Sequence, residues 1–307
     1  TGADSYEIDQ EVGAVTGTST TVSPTVTTTY TLTATNDDGD DTETTTVTVV
    51  PPETTLPPTE GLKLWLNADA GVTTDSSGNV EAWADQNGNN LTATQTSTDA
   101  RPELVASAIN GQPALRFDGT DDYLTLGNVL NDVFAGEDKK FTLFAVIEAQ
   151  AGNNRPIFQK NGDSSFNENQ RQLGFRVFKN HLDFVAMSTL RFSSQRGAIG
   201  DTDVVDKVAI ATFIYDGSQD TNNGLDRFTL RFNGTEEQIS PSQNRGSLGN
   251  IQEGTAHAGI GARVNSTGER AASFFDGDIA ELLIYSEAVE EQKLQDIESY
   301  LLGKYLP

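Results

Sequence analysis

The chain has 307 residues, with 45 acidic against 20 basic and a formal net charge of -25. That field repels nucleic acid and anionic membranes and favours cations as partners. The absence of Cys excludes disulfides and Cys-ligated zinc or iron–sulfur centres, and no apolar run approaches the roughly 20 residues of a membrane helix. The length suits one large β domain and a small one, and an opening at Thr1 without Met reads as a processed or excised piece of a longer product.

Residues 1–50 form the small unit. Of the first 60 residues, 20 are Thr. Tyr30, Leu32 and Ala34 alternate with Thr, Asn36-Asp37-Asp38-Gly39 turns the chain, and Thr44 to Val50 alternates again, which predicts a β-hairpin with one wet face. Residues 51–60 carry two Pro-Pro pairs and read as an extended, semi-rigid linker.

Residues 61–307 form the large unit. Leu62, Leu64 and Leu66 alternate in an opening strand, Val80 to Asn90 ends in a turn-rich loop, and Ala114 to Leu126 reads as two short strands about a tight turn. Phe141 to Ile147 and Val208 to Tyr215 are apolar on both faces, as central strands are. Two hairpins are marked by Lys179-Asn180-His181 and by Asn233-Gly234. After a turn at Asp276-Gly277, strict alternation puts Ile279, Leu283 and Tyr285 on one face and Ala280, Leu282 and Ile284 on the other. Such a strand needs cover on both sides. Glu290 to Tyr305, with Leu294, Ile297, Leu301 and Tyr305 at helical spacing, supplies an amphipathic helix for one of them, with Ser286 as its cap. Many strands and one good helix predict an all-β, two-sheet sandwich.

Particular motifs sharpen this. Leu64-Trp65-Leu66 with Asp69-Ala70-Gly71, Trp83-x-Asp85, Phe117-Asp118-Gly119 and Phe275-Asp276-Gly277-Asp278-Ile279-Ala280-Glu281 resemble bacterial LamG-like, concanavalin A-like jelly-roll domains over residues 61–307. Val22 to Val50 resembles the last strands of the immunoglobulin-like modules repeated in bacterial surface proteins. At about 50 residues it is half of a sandwich that spans roughly 100, so upstream strands or a neighbouring subunit are expected to complete it. The resemblance implies a carbohydrate-binding or adhesion module of a secreted or cell-surface bacterial protein, with a polysaccharide or cell-surface glycan as partner. One jelly roll serves many functions. A structural subunit of an extracellular filament or layer, and a jelly-roll polysaccharide hydrolase, are the alternatives.

Asp276-x-Asp278-x-x-Glu281 has the spacing of the Glu-x-Asp-x-x-Glu set of laminarinase-type glycosidases, where paired carboxylates serve retaining hydrolysis. Its first position is Asp in a turn, and Trp65 and Trp83 lie in opening strands that read as core and leave few aromatics for sugar subsites, so the run is expected to be structural and the chain not an enzyme. No Gln-x-His counterpart of alginate lyases occurs, and His181 and His257 lack a partner set. Asp118, Asp121 and Asp122 crowd one loop and Asp276 and Asp278 another, an oxygen-rich set suited to Ca²⁺ at a sandwich rim. Phe166 to Arg196 concentrates Arg171, Arg176, Asn180, His181, Asp183, Arg191 and Arg196 beside Phe175, Phe178 and Phe192, a candidate carbohydrate site whose Arg forks suit anionic sugars.

Overall fold

The computed structural model describes residues 2–10, 12–24, 28–47, 56–150, 152–161, 171–187, 195–219, 224–245, 248–251, 253, 257–265, 267–268 and 271–306, the side chains of 161, 171, 172 and 245 excepted. Two compact units result, Thr1–Glu53 and Thr54–Pro307.

The first unit is one antiparallel sheet in the order Gly13–Ala14, Ser5–Ile8, Thr28–Asn36, Gly39–Val47. Its hairpin turns at Asp37-Asp38, where Asn36 Oδ1 accepts the Asp38 N–H at 2.9 Å. Tyr30 is its buried hydrophobic residue among those described.

The second unit is a two-sheet antiparallel sandwich. The eight-stranded sheet runs Thr235–Glu236, Phe228–Phe232, Val208–Asp216, Lys140–Ala149, Asp276–Tyr285. The far edge of this last, closing strand is shared. Gln112–Asp118, itself paired with Glu103–Ile109, takes the first half, and Leu62–Asn67 takes the second. The ten-stranded sheet runs Ser240–Arg245, Gln195–Ile199, His181–Met187, Arg171–Phe178, Arg155–Asn161, Ala258–Ile260, Leu124–Gly127, Thr92–Thr94, Val80–Ala84, Val72–Thr74. The two predicted central strands pair along their whole length, Phe141 with Tyr215 through Glu148 with Val208. Aromatic rings fill the space between the sheets, with Phe175 and Phe184 centroids 4.4 Å apart and Phe141 and Tyr215 at 5.0 Å. Trp83 lies fully buried in that core. The helix Glu291–Tyr305 packs Leu294, Ile297, Tyr300, Leu301 and Tyr305 on the outward side of the eight-stranded sheet.

Five expectations are corrected. The closing strand does not alternate strictly: its register with Lys140–Ala149 jumps from Glu281 to Ile279, leaving Ala280 bulged. Parity flips there, so Ile279, Leu282 and Ile284 face the inner core while Ala280, Leu283 and Tyr285 face the helix. A similar shift at Lys63 places Leu64 and Leu66 inward but Leu62 and Trp65 outward. Asp276-Gly277 is not a turn but the start of the strand. Gly277 has φ +136°, and a Cβ there would lie 2.1 Å from the Glu148 carbonyl oxygen, so close backbone approach is the reason for glycine. Ala114 to Leu126 is not a hairpin: Gln112–Asp118 belongs to the eight-stranded sheet and Leu124–Gly127 to the ten-stranded one, so the loop between them crosses the edge of the sandwich. Finally, Ser286 does not cap the helix, whose N-cap position is Glu290; its N–H and hydroxyl both donate to the Gly61 carbonyl.

Candidate functional site

The closing strand settles what its carboxylates do. The bulge turns fully buried Glu281 toward the helix. There Oε1 accepts from Trp65 Nε1 at 2.6 Å and the Tyr300 hydroxyl at 2.8 Å, and Oε2 from the Tyr305 hydroxyl at 2.8 Å and Lys304 Nζ at 3.1 Å. Burial and the Glu281 charge push both phenols above their usual range. Asp278 is gripped by Arg116, Nε to Oδ1 and Nη2 to Oδ2, each at 2.8 Å. A nucleophile and an acid need room for a sugar between them. Here Glu281 is saturated by protein donors beneath the helix, and both Asp278 oxygens are engaged by Arg116.

The acidic loop is arranged differently. Carboxylate oxygens of Asp118, Asp121 and Asp122 lie within 4.8 Å of one another. Asp118 Oδ1 accepts the Thr120 and Asp121 N–H groups at 2.7 and 3.3 Å, and Asp122 Oδ2 accepts the Asp118 N–H at 2.9 Å. Burial, aided by the Asp118 and Asp121 charges, pushes the Asp122 carboxyl up to about 6. Asp276 is the register partner of Asp118, and its side chain lies against Gly119, where φ is +75° and a Cβ would come within 2.8 Å of Asp276 Cβ. Asp276 therefore borders the cluster, whereas the Arg116 fork holds Asp278 apart from it. The oxygen-only donor set fits a hard divalent cation.

The Arg-rich segment divides. Leu173, Phe175 and Val177 face the core, which puts Gly174, Arg176 and Phe178 on the outward side of the ten-stranded sheet. Phe175 is thus a core residue and offers no face to a sugar. Arg176 pairs with Asp183 across the hairpin, Nε to Oδ1 at 2.9 Å, with side chains 5% and 0% exposed. Its Nη1 donates to Asn154 Oδ1 at 2.7 Å, its guanidinium lies 4.6 Å from the Phe178 ring centroid, and its buried Nη2 has no hydrogen-bond partner among the described residues. The hairpin turns through Lys179 and Asn180, both at positive φ. Asn180 Nδ2 reaches Asp203 Oδ2 at 3.4 Å, and His181 Nδ1 lies 2.9 Å from the Thr202 carbonyl oxygen. Arg196 pairs in register with inward-facing Ala186, so it lies on the opposite face of the sheet, near the far end of the strand. Arg191 and the Arg171 side chain lie outside what the structure describes.

Residues that the sequence reading overlooked join the two places. Asn154 Nδ2 donates to Ser273 Oγ at 3.2 Å. Arg155 Nη1 donates to the Gly119 carbonyl at 3.1 Å and to the Phe274 carbonyl at 2.7 Å. A continuous rim results, from the Asp118–Asp122 loop through Arg155 and Asn154 to Arg176 and Asp183. One link was available beforehand: a two-residue turn at Lys179-Asn180 fixes a register in which Arg176 opposes Asp183. The contacts of Asn154 with Ser273 and of Arg155 with Phe274 each span 119 residues, and nothing local announces them.

The fold and this rim define a β-sandwich with a polar network at one edge. No protein-family profile matches the chain, and the comparison with curated proteins returned no match. Among solved structures, the chain is similar to the binding domain of Paraclostridial Mosquitocidal Protein 1 at 12% identity and a TM-score of 0.52, over 78% of this chain and 52% of that one. It is also similar to the botulinum neurotoxin serotype C1 binding domain at 11% identity and a TM-score of 0.50, over 81% and 53%. Trypanosoma rangeli sialidase, solved with a difluoro-KDN compound, aligns at 12% identity and a TM-score of 0.50, over 91% and 43%. The chain thus spans about half the length of these proteins, and the likeness is one of fold.

Proposed function

We propose that the chain is a non-catalytic glycan-binding module, LamG-like in its sandwich, of a secreted or cell-surface protein. The carrying observation is the rim network, in which Asn154, Arg176 and Asp183 are held in fixed orientations beside Phe178. Planar hydrogen-bonding groups next to an aromatic ring are the recognition chemistry of sugars. Asp118, Asp121 and Asp122 would hold Ca²⁺ at the adjoining end of the same rim, neutralising their mutual repulsion. Two of the three structures of similar fold are toxin binding domains, which supports a binding role. No described helix is long and apolar enough to cross a membrane. The test is a glycan array on the full chain alongside a reducing-sugar assay. Expected are bound glycans, signals at least about tenfold weaker in Arg176→Lys and Asn154→Ala, a fork or an amide being lost in each, and no turnover. An empty array, or turnover that disappears in Glu281→Gln, sinks the reading.

A scaffold role is the second reading, favoured by the strand Gly39–Val47, which ends its sheet and is exposed along almost all of its nine residues. An unpaired edge of that length is a template for another strand, from a neighbouring subunit or from upstream sequence. Concentration-dependent association in light scattering, abolished by Thr44→Pro, would support it; a monomer at all concentrations removes self-association.

A further inference from the structure

Away from the rim, the loop Asp85–Leu91 and the segment Asn128–Asp132 enclose a cleft of about 450 Å³ with Lys63. Its walls are polar, with Asn89, Asn128, Asn131 and Asp132, and its apolar ground is Leu91, Val129 and Leu130. Neighbouring groups set the orientation of two of the amides. Asn128 Oδ1 accepts from Lys160 Nζ at 2.9 Å and from Asn131 Nδ2 at 3.1 Å. An ammonium can only donate, so the Asn128 oxygen must face it and the Nδ2 hydrogens are left for the cleft. Asn89 is fixed the other way: its Nδ2 donates to the Lys63 carbonyl at 3.0 Å, which leaves Oδ1 as an acceptor.

The loop that carries Asn89 is pinned as well. Asp85 Oδ1 accepts the Trp65 N–H at 2.8 Å and the Asn87 N–H at 3.2 Å, Oδ2 accepts the Asn89 N–H at 2.8 Å, and Asn87 Nδ2 donates to the Leu62 carbonyl at 2.7 Å. Lys160 itself is fully buried, facing the core on Arg155–Asn161 between Leu173 and Ala258. It is rigid support beneath Asn128. A second cleft of about 470 Å³ shares Lys63 and Asp132 and extends the first past Lys139, Lys140 and Glu287.

We infer that this cleft is a saccharide-binding site separate from the rim, taking a neutral oligosaccharide, with Asn128 as fixed donor, Asn89 as fixed acceptor and Lys160 as the positioning residue behind Asn128. A donor and an acceptor with set directions match the hydroxyls of one pyranose ring, and the aliphatic ground takes its C–H face. Lys63 and Asp132 offset each other, so no net charge selects an acidic sugar, and the adjoining cleft gives room for further rings. The inference rests on the glycan-binding reading but not on the rim as its location.

The test titrates the full chain by calorimetry with cellotetraose, laminaritetraose and mannotetraose, following unfolding temperature in parallel. At least one should bind, with Kd raised about tenfold by Asn128→Ala and by Asn89→Ala at an unchanged unfolding temperature. Lys160→Met, which frees the Asn128 amide to rotate while filling the same space, should weaken binding several-fold and retain the fold. Asn154→Ala on the rim separates the two readings. Binding lost in that variant and kept in the two cleft variants overturns the cleft and leaves the rim. Absence of binding to all three sugars, or a Kd within about twofold of the parent in both cleft variants, also overturns it.

Discussion

Two groups of carboxylates sit in this sandwich in opposite circumstances. Glu281 is fully buried yet has four donors, one of them cationic, converging on its two oxygens. Asp118, Asp121 and Asp122 are gathered within 4.8 Å, and the Asp118 and Asp122 carboxylates accept backbone N–H groups of their own loop. A buried charge is tolerated when partners saturate it and costly when they do not. Glu281 is therefore a structural clamp between sheet and helix. The loop is where a ligand has something left to supply.

The sharpest way to break this comparison is Glu281→Ala. It strands Lys304, the Trp65 N–H and two phenols in the layer beneath the helix, and unfolding free energy should fall by about 3–5 kcal/mol in denaturant titration; a loss under about 1 kcal/mol would contradict the clamp. Next comes the loop. If it takes Ca²⁺, free ion at a hundredfold excess over Kd adds about 2.7 kcal/mol of stability, visible as a raised Tm that chelator reverses. Asp122→Asn keeps the acceptor for the Asp118 N–H, so it should leave the metal-free Tm unchanged or higher and remove most of the Ca²⁺ increment. Identical melting curves in chelator and in millimolar Ca²⁺ would leave the loop as a turn alone.

The smallest effect concerns Lys160, whose burial lowers its ammonium to about 8 from 10.5. Between those values the unfolded chain binds more protons than the folded one, so this group makes stability rise as pH climbs from about 8 to 10.5. Below pH 8 both states are protonated and the burial cost is constant. Lys160→Met removes that cost and should stabilise the protein by about 1–2 kcal/mol at pH 7. The difference between variant and parent should then shrink above pH 8, and a gap constant up to pH 10.5 would refute the assignment.

Local pattern carried much of the architecture. The central pair Phe141–Ile147 and Val208–Tyr215, the hairpins at Lys179-Asn180 and Asn233-Gly234, and the C-terminal helix are where alternation, turn chemistry and helical spacing place them. Burial of Trp65 and Trp83 follows from the same pattern. The candidate sites were legible only in pieces. Arg176 was visible as one cation among several, and Arg196, equal to it in sequence, turned out on the other face. Asn89 and Asn128 gave no signal as a pair, since each resembles any other loop amide until Lys63 and Lys160 orient it.

Side-chain chemistry and spacing by themselves determined that this is an acidic, Cys-free, all-β chain with one closing strand covered on both sides. Those properties depend on short-range periodicity, which a strand or helix expresses wherever it packs. Only the tertiary structure decided that Glu281 looks toward the helix, that residues 112–126 cross between sheets, and that the Asp118–Asp122 loop meets Arg155 and Asp276. A bulge is imposed by the partner strand and a crossing by the sheet edge that remains open. Neither is written in the residues that undergo it, so alternation predicts facing only as far as the ladder stays regular.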